Sequence, residues 1–568
     1  RILPPLLLVL VCVVVYANGL QGGFVYDDVA VTITDNPFLS GLVGWKEVLT
    51  WDRPVREFTY LFDHALWGER PFGYHLQNLF WHVLNVLLIW RIQREMRIDP
   101  WHACLGALLF AVHPINTEAV TWISGRKELL CLFFELCAVW LFLRFLRTNV
   151  NPFGYSLAVV LSLCLALFSK QVAVVLPLLL IAAAWTEGGI SPLPKRRILF
   201  LLSIVMLGTA FLALTSLRAV EVAREALQRG TYYDPSARHL ELEHPILTGF
   251  AVWWSAVRLL VIPYPLIVER TIDPVTSWAD PRWILGIMIV AASLAFLWSR
   301  KRRGTGQPFG IAWILITWLP TSGLLPATYL LADRYLYIPC AGFCIFAAYC
   351  FADLFHQRTT ILRRAGVAVV TVVLAGYALL TVGRNLDWAD ETALWESAAL
   401  YESSNPKIQF NLGNAYYSEG LTERAEEEWK QALSLRPQYP EVHINLGTLY
   451  QKEGKWDLAR FHYQEALKIS PYYGIAEFNL ASLYQETGNR EEAIRMMRSA
   501  AAHIEGKRDT LRKKAAAYKE LARLLMESER LREALAAAKQ SLEYNPHDPD
   551  AKTLASDIES CLVKETSP

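Results

Sequence analysis

The feature that most constrains this chain is a series of apolar runs, each near the length a helix needs to cross a bilayer, recurring up to about Thr381. In hydrocarbon every backbone N–H and C=O must be satisfied inside its own segment, so a helix of about 20 apolar residues per crossing is the simplest reading. Eleven spans are predicted, over residues 3–20, 75–92, 101–115, 128–146, 154–169, 171–186, 198–217, 283–299, 309–324, 336–354 and 365–383. With Arg1 on the cytoplasmic side, the short loops on that side carry Arg91, Arg94 and Arg97; Arg144 and Arg147; Lys195, Arg196 and Arg197; Arg300, Lys301, Arg302 and Arg303; and Arg358, Arg363 and Arg364. This is the positive-inside pattern, and a miscount of one span breaks it downstream. Counting the apolar stretch from Ile246 to Ile262 would put the Arg300 cluster on the wrong side, so that stretch reads as interfacial or re-entrant. An odd number of spans places everything after Gly383 in a lumen or periplasm. The first run, Leu6 to Tyr16, is expected to be an uncleaved span, since no convincing small-x-small cleavage site follows it.

Composition supports a membrane class and excludes others. Hydrophobic residues make up 53% of the 568 and charged residues 19%, which is not the balance of a soluble globule. Formal net charge is +1, from 55 Lys and Arg against 54 Asp and Glu. That removes the basic field of a nucleic-acid binder, and no nucleic-acid partner is expected. Eight of the nine cysteines lie in or beside apolar runs, with spacing suited neither to disulfides nor to zinc. No metal ligands are read, and metal dependence stays open.

Beyond Thr381 the chain turns charged and Ala-rich, and from Pro406 it repeats every 34 residues. Leu412-Gly413, Tyr416, Ala425, Trp429, Ala432 and Pro437 recur as Leu446-Gly447, Tyr450, Ala459, Tyr463, Ala466 and Pro471. A third unit continues the frame through Leu480-Ala481, Tyr484, Ala493, Met497 and Ala500; a fourth, after an insertion near Lys507 to Lys514, holds Leu521-Ala522, Ala534, Ser541 and Pro546. These units resemble tetratricopeptide repeats, helix pairs whose small residues allow close crossing and whose stacking buries a continuous core. The repeated positions are packing residues; the array's function is expected to be recruitment of a peptide or partner helix on its concave surface. The fold class is therefore all-α, a polytopic membrane bundle of about 11 spans followed by an α-solenoid. The expected domains are a membrane domain over 1–383, a helical connector over 384–405, repeats over 406–548 and a capping helix and tail over 549–568.

Chemistry gathers on the predicted non-cytoplasmic side. Phe24-Val25-Tyr26-Asp27-Asp28 leaves the first span, and a later loop reads His113-Pro114-Ile115-Asn116-Thr117-Glu118-Ala119-Val120 and continues to Gly125-Arg126-Lys127-Glu128. Ser169-Lys170-Gln171 and Ala332-Asp333-Arg334-Tyr335-Leu336-Tyr337 lie on the same side. A general base for a hydroxyl needs a carboxylate held in a pocket. Arg126, Lys127, Lys170 and Arg334 can clamp a phosphate, Arg through its planar fork and Lys as a point charge. His113-Pro114 also suits a helix-ending corner, and Glu135 falls inside a span, either paired with a neighbouring helix or marking a loose register.

The Tyr-Asp-Asp exit, His-Pro-x-x-Thr-Glu-Ala-Val, Gly-Arg-Lys-Glu and Arg-Tyr-Leu-Tyr-x-Pro, followed by tetratricopeptide repeats, resemble the transmembrane and tetratricopeptide-repeat O-mannosyltransferase family, C-type glycosyltransferases, over nearly the whole chain. The resemblance implies transfer of a sugar, mannose in that family, from a polyprenyl-phosphate donor to a hydroxyl acceptor, Ser or Thr of a protein, with inversion at the anomeric carbon. It implies Asp27 and Asp28 as the acidic pair, with Asp28 the preferred base. His113 and Glu118 would orient acceptor or sugar, and Arg126, Lys127, Lys170, Arg334 and Tyr335 would bind the lipid phosphate. The partners implied are the lipid-linked donor, a protein acceptor held by the repeats, and membrane lipids; beyond the donor substrate no cofactor is certain. Only about four repeats are present, a departure from the family; the lack of any Asn-x-Ser/Thr acceptor and of disulfide candidates favours a bacterial inner membrane over an endoplasmic reticulum membrane. Two other classes compete. A membrane-anchored scaffold would dock partners without catalysis, and a transporter would need ionisable groups at the midplane of several spans, where only Glu135 is found.

Overall fold

The computed structural model describes residues 2–28, 33, 36, 38–39, 41, 44–49, 53–147, 152–186, 200, 203–204, 206, 244–300, 306–323, 330–355, 360–504 and 510–566, and among them every regular element is helical. The predicted span 198–217 falls almost wholly outside these residues. The chain divides into two compact units, one made of Arg1–Tyr26, Leu49–Val220 and Pro235–Tyr401, the other of Asp27–Val48, Glu221–Asp234 and Glu402–Pro568.

In the first unit α1 (Leu3–Tyr16) is followed by α2 (Pro54–Trp67), α3 (Pro71–Glu95), α4 (Pro100–Ala111), α5 (Thr117–Thr121), α6 (Arg126–Arg147), α7 (Pro152–Ser169) and α8 (Leu176–Thr186). After them come α9 (Pro245–Val261), α10 (Pro281–Arg300), α11 (Gln307–Trp318), α12 (Tyr337–Phe355), α13 (Thr360–Leu386) and α14 (Glu391–Ala399). Proline opens several of these helices, where its missing N–H would have been unbonded anyway. By length and hydropathy five stretches among the described residues can cross a membrane: Leu3–Gln21, Ile123–Arg147, Pro281–Ser299, Asp333–Phe355 and Thr360–Leu386. A sixth is added if Pro100–Ala111 and Pro114–Thr121, bent by 52°, count as one. That bend interrupts the predicted run 101–115. Pro114 disfavours helical geometry at the residue before it, and His113 is accordingly extended, at φ −71° and ψ 122°.

Small residues let the helices approach. A Cβ on Gly310 of α11 would lie 2.7 Å from the Gly342 carbonyl of α12, and one on Gly106 of α4 would lie 2.6 Å from the Ala348 methyl of α12. Without a hydrophobic drive between helices in lipid, such close packing is what holds a bundle together. Nearly all of α10 and most of α13 face outward with their apolar side chains, the surface that lipid would cover.

The second unit stacks α15 (Pro406–Ser418) to α22 (Leu531–Tyr544) as four antiparallel pairs and closes with α23 (Pro549–Thr566). The absent Cβ of Gly413 leaves room for the Trp429 indole, and that of Gly447 for the Tyr463 ring; a Cβ at either position would lie 2.6 Å from those rings. The turn inside each of the first three pairs places Gly420, Gly454 and Gly488 in the left-handed region, at φ 81°, 73° and 80°. The next N–H reaches back to a carbonyl of the first helix, Leu421 to Tyr416 and Lys455 to Tyr450 at 2.9 Å, Asn489 to Tyr484 at 2.8 Å.

Candidate functional site

The site is built on a polar stripe of α3. His75, Asn78, His82 and Asn85, spaced at helical intervals, are all buried. The Asn78 amide donates to the carbonyls of Trp122 at 2.9 Å and Val120 at 3.2 Å, and Asn85 donates to that of Leu129 at 3.0 Å. These side chains satisfy the backbone where α5 breaks before α6, which a buried break requires.

The break fixes Trp122, and charge collects around its ring. The Lys127 ammonium lies 4.7 Å and the Arg334 guanidinium 5.5 Å from the ring centroid. Arg334 is held by Glu118, whose carboxylate accepts from its Nη1 at 2.6 Å and from its backbone N–H at 2.8 Å. Asp333 beside it pairs with Arg270 at 3.1 Å and accepts from the Ile267 N–H at 2.8 Å. Lys127 is 8% exposed and, among the described residues, its ammonium has no carboxylate partner. Arg53, Arg334 and Arg56 add positive potential to it.

Tyr26 stacks near Trp122, with ring centroids 5.7 Å apart, and meets Trp395 edge-on at 5.3 Å. Its hydroxyl donates to Glu269 and its backbone N–H to Glu391, both at 2.5 Å. These contacts hold it at φ 58°, a region that costs a bulky side chain of the order of 1–2 kcal/mol. A strained residue directly before two aspartates marks a segment whose course is over-determined by its surroundings.

The other predicted residues divide by environment. Arg126 is fully buried, pairs with Asp63, donates to Asn78 Oδ1 at 2.8 Å and the Tyr74 carbonyl at 2.9 Å, reaches Gln77, and lies over the Tyr60 ring. Its fork is thus occupied by the protein itself. Burial pushes the Asp63 carboxyl up from its usual range, against the pull of Arg126. Lys170 holds Glu128 through both carboxylate oxygens, at 2.6 and 2.7 Å. Tyr335 offers its ring to the cations of Lys170 at 5.0 Å and Arg334 at 5.3 Å. His113 forms the corner after α4, with Nε2 2.9 Å from the Leu260 carbonyl and Nδ1 accepting from the Ile115 N–H. Asp27 is half-buried and Asp28 buried in the second unit, where the Asp28 carbonyl accepts from the Ile33 N–H at 3.0 Å. Glu135 is buried inside α6, and neither carboxyl oxygen has a hydrogen-bond partner among the described residues.

Helix α2 completes the first unit's site with an inverted pattern. Arg56, Glu57, Tyr60 and Asp63 point inward and are buried, whereas Phe58, Leu61, Phe62 and Leu66 are exposed. An amphipathic helix with its polar face on the protein and its apolar face outward suits a membrane interface. Sequence reasoning missed Trp122, Glu269, Arg270 and Glu391. Glu269-Arg270 follows the apolar stretch 246–262, an acid and a base after an interfacial segment, and that signal was available; Trp122 gave none beyond its place in the loop.

Comparison with known proteins bears on the same stretches. Residues 54–215 match the family described as Dolichyl-phosphate-mannose-protein mannosyltransferase, and tetratricopeptide-repeat families match 413–454, 440–473, 478–509 and 519–559. A Protein O-mannosyl-transferase of Caenorhabditis elegans is 27% identical over 76% of this chain and 62% of its own. Protein O-mannosyl-transferase Tmtc3 of Drosophila melanogaster is 28% identical over 75% and 54%, and the TMTC3 protein of Homo sapiens 27% over 73% and 50%. The chain thus spans half to three-fifths of the length of these relatives. A solved Pseudomonas aeruginosa structure, pilF, is 21% identical at a TM-score of 0.25, over 29% of this chain and 70% of its own, a likeness from which nothing about function follows. By its matches the chain is related to the protein O-mannosyl-transferases, joining a dolichyl-phosphate-mannose-protein mannosyltransferase region to tetratricopeptide repeats.

Proposed function

We propose that this is an integral membrane glycosyltransferase of the C type, moving mannose from a polyprenyl-phosphate carrier to a Ser or Thr hydroxyl of a protein on the extracytoplasmic face. The observation that carries the reading is Lys127, an ammonium held over Trp122 beside Arg334 with, among the described residues, no carboxylate partner. Such a preorganised cation is what a developing phosphate charge requires, and it needs no reorganisation during reaction. Arg334, oriented by Glu118, supplies the second positive group, and Tyr335 shields it on one side. Lys170 and Arg126, each already paired, support the framework around them.

In the proposed step the acceptor hydroxyl gives its proton to a carboxylate, Asp28 by preference and Asp27 otherwise, as its oxygen attacks the anomeric carbon. The bond from that carbon to the phosphate oxygen breaks, its electron pair stays on the oxygen, and the polyprenyl phosphate departs with the configuration inverted. His113 serves as the corner that places the following loop, and Glu118 acts through Arg334. The repeats present the acceptor protein. The test uses purified protein in lipid, a labelled polyprenyl-phosphate mannose and a Ser/Thr-rich peptide. Lys127→Ala should lower transfer by roughly a hundredfold or more, the scale of losing one preorganised stabilising group, with thermal stability little changed. Asp28→Asn should abolish it. Undiminished turnover in both variants would remove the catalytic reading and leave a membrane-anchored repeat scaffold.

A further inference from the structure

A small cavity of about 10 Å³ lies where α1 and the turn after it meet α3 and α5. Its three polar side chains, Tyr16, His75 and Thr121, are each at most 3% exposed. The Tyr16 hydroxyl and His75 Nδ1 have no hydrogen-bond partner among the described residues, and a buried polar atom left unpaired is costly enough to call for an explanation. The hydrogen-bond roles around the cavity are fixed by what the same residues do on their other sides. His75 Nε2 meets carbonyl oxygens, of Gly22 at 3.1 Å and Gly23 at 3.4 Å, so in the neutral ring it carries the proton and Nδ1 carries a lone pair. Thr121 gives its hydroxyl proton to Asn385 Oδ1 at 2.9 Å, and its carbonyl, which reaches the His75 ring, has none to give. Asn385 returns no proton, because its amide nitrogen donates to the Val15 carbonyl at 2.9 Å and to Asn18 at 2.8 Å. The polar lining is thus one donor, the Tyr16 O–H, set against acceptors of His75 and Thr121.

We infer that this cavity binds one ordered water, which accepts from the Tyr16 hydroxyl and donates to His75 Nδ1 and Thr121, and that His75, locked by it in the Nε2–H form, is the positioning residue of the Gly22–Gly23 backbone. Size supplies the first argument, since the volume admits a single water and nothing larger. Chemistry supplies the second. A water that accepts one bond and donates two matches one donor among acceptors, and three bonds are what a buried water ordinarily makes. The consequence runs along the chain. The Gly23 N–H donates to the Ala389 carbonyl at 2.8 Å, and a Cβ on Gly22 would lie 3.1 Å from the Trp388 carbonyl, so this backbone is closely confined. It leads directly to Tyr26, whose ring meets Trp122 and Trp395. The other tautomer would set a lone pair of Nε2 against the Gly22 carbonyl and undo the clamp. The water and the tautomer stand apart from the transfer reaction; that His75 serves catalysis rests on the reading proposed above, through the aspartates that follow Tyr26.

The test uses the full chain in lipid nanodiscs. A cryo-electron density map that resolves other buried waters should show one between Tyr16 Oη and His75 Nδ1. Nitrogen NMR with isotope-labelled histidine, the His75 signals assigned by their loss in His75→Gln, should show a neutral ring protonated at Nε2. No density at that place, or a proton on Nδ1, would overturn the inference. Tyr16→Phe should change the His75 Nδ1 signal, because the water loses its donor; an unchanged signal would exclude the bridge. Hydrogen exchange then tests the clamp. His75→Leu should speed exchange in residues 17–26 roughly fivefold or more, the scale of one lost buried hydrogen bond, and His75→Gln, whose amide can still donate to Gly22, should recover most of the protection. Equal exchange in the two variants would overturn the positioning role. In the transfer assay His75→Leu should lower kcat roughly ten- to a hundredfold with KM little changed, the signature of a displaced catalytic group. A rise in KM alone would remove His75 from the placement of the base. Absence of transfer in the unaltered protein would instead strike the glycosyltransferase reading, and density, tautomer and exchange would still judge the water.

Discussion

The two units use the same charged residues in opposite ways. In the first, Arg126 with Asp63, Arg334 with Glu118, Lys170 with Glu128 and Arg270 with Asp333 are ion pairs in which every side chain is at most 10% exposed. In the repeats, pairs such as Arg460 with Asp457 and Arg530 with Glu533 lie one helical turn apart on exposed faces. A desolvated charge that keeps its partner fixes geometry, and one that loses its partner is left uncompensated, whereas a solvated pair contributes little. The first unit therefore holds its specificity in polar side chains that cannot be exchanged singly. The repeats hold it in small residues, Gly413, Gly447 and the buried alanines, while ion pairs such as Arg460 with Asp457 serve the surface.

The sharpest way to break this contrast is to remove one acid from each unit. Asp63→Ala strands Arg126, fully buried, and should cost about 3–5 kcal/mol, the range for a buried pair deprived of one member. Fluorescence-detected size-exclusion chromatography should then show loss of the folded peak or a large fall in melting temperature. Asp457→Ala, which removes the partner of Arg460 on the array, should leave the profile unchanged. Equal effects from the two substitutions would erase the distinction between the units.

Acid should separate them in another manner. In the second repeat His443 and His462 face each other, Nδ1 to Nδ1 at 3.0 Å. Burial lowers the pKa of both, and for His462, where the neighbouring His443 adds to the effect, it falls to about 4 from the usual 6.5. The folded array therefore holds neutral imidazoles. Below 6.5 the unfolded chain takes up protons that the folded one refuses, so stability is present above that value and is lost as pH falls toward 4. Hydrogen exchange in the helices Pro440–Lys452 and Trp456–Ile469 should accelerate between about pH 6.5 and about pH 4.5. Combining His443→Gln with His462→Gln should flatten that response; a response of equal slope in the double variant would exclude the pair as its cause.

The same contrast explains how far the sequence could be read. The repeats were legible because Gly413, Trp429 and Ala432 recur at a fixed period, and each position has one packing duty. The long helices α6, α12 and α13 were legible from hydropathy alone. What escaped were elements whose pattern is inverted or interrupted. Helix α2, with Arg56 and Asp63 inward and Phe62 outward, has no apolar core stripe to detect, and the 52° bend cut the run at 101–115. Within the site, Glu118, Lys127 and Arg334 were found as residue types near span ends. Their pairing was not, because the partners are 216 residues apart in one case and sequence carries no trace of that distance. Arg126, offered for phosphate, is saturated by Asp63, Asn78 and Tyr74, partners contributed by α2 and α3.

The smallest expected effect tests the repeats against themselves. The turn of the fourth pair copies the backbone bond of the first three, Arg530 N–H to the Leu525 carbonyl at 2.9 Å, yet it places Glu529 at φ 58° where the others have glycine. A side chain in that region clashes with its own backbone, whereas glycine adopts it freely, and Glu529 is exposed. Glycine also loses more freedom on folding, which offsets part of the relief. Glu529→Gly should accordingly stabilise the last pair by about 0.5–1 kcal/mol, read as slower hydrogen exchange in Leu511–Glu527 and Leu531–Tyr544 with the other three pairs unaltered. The reverse change, Gly454→Glu in the second pair, should destabilise by a similar amount. If both substitutions moved stability in the same direction, the turn would not be the element that makes the four repeats equivalent.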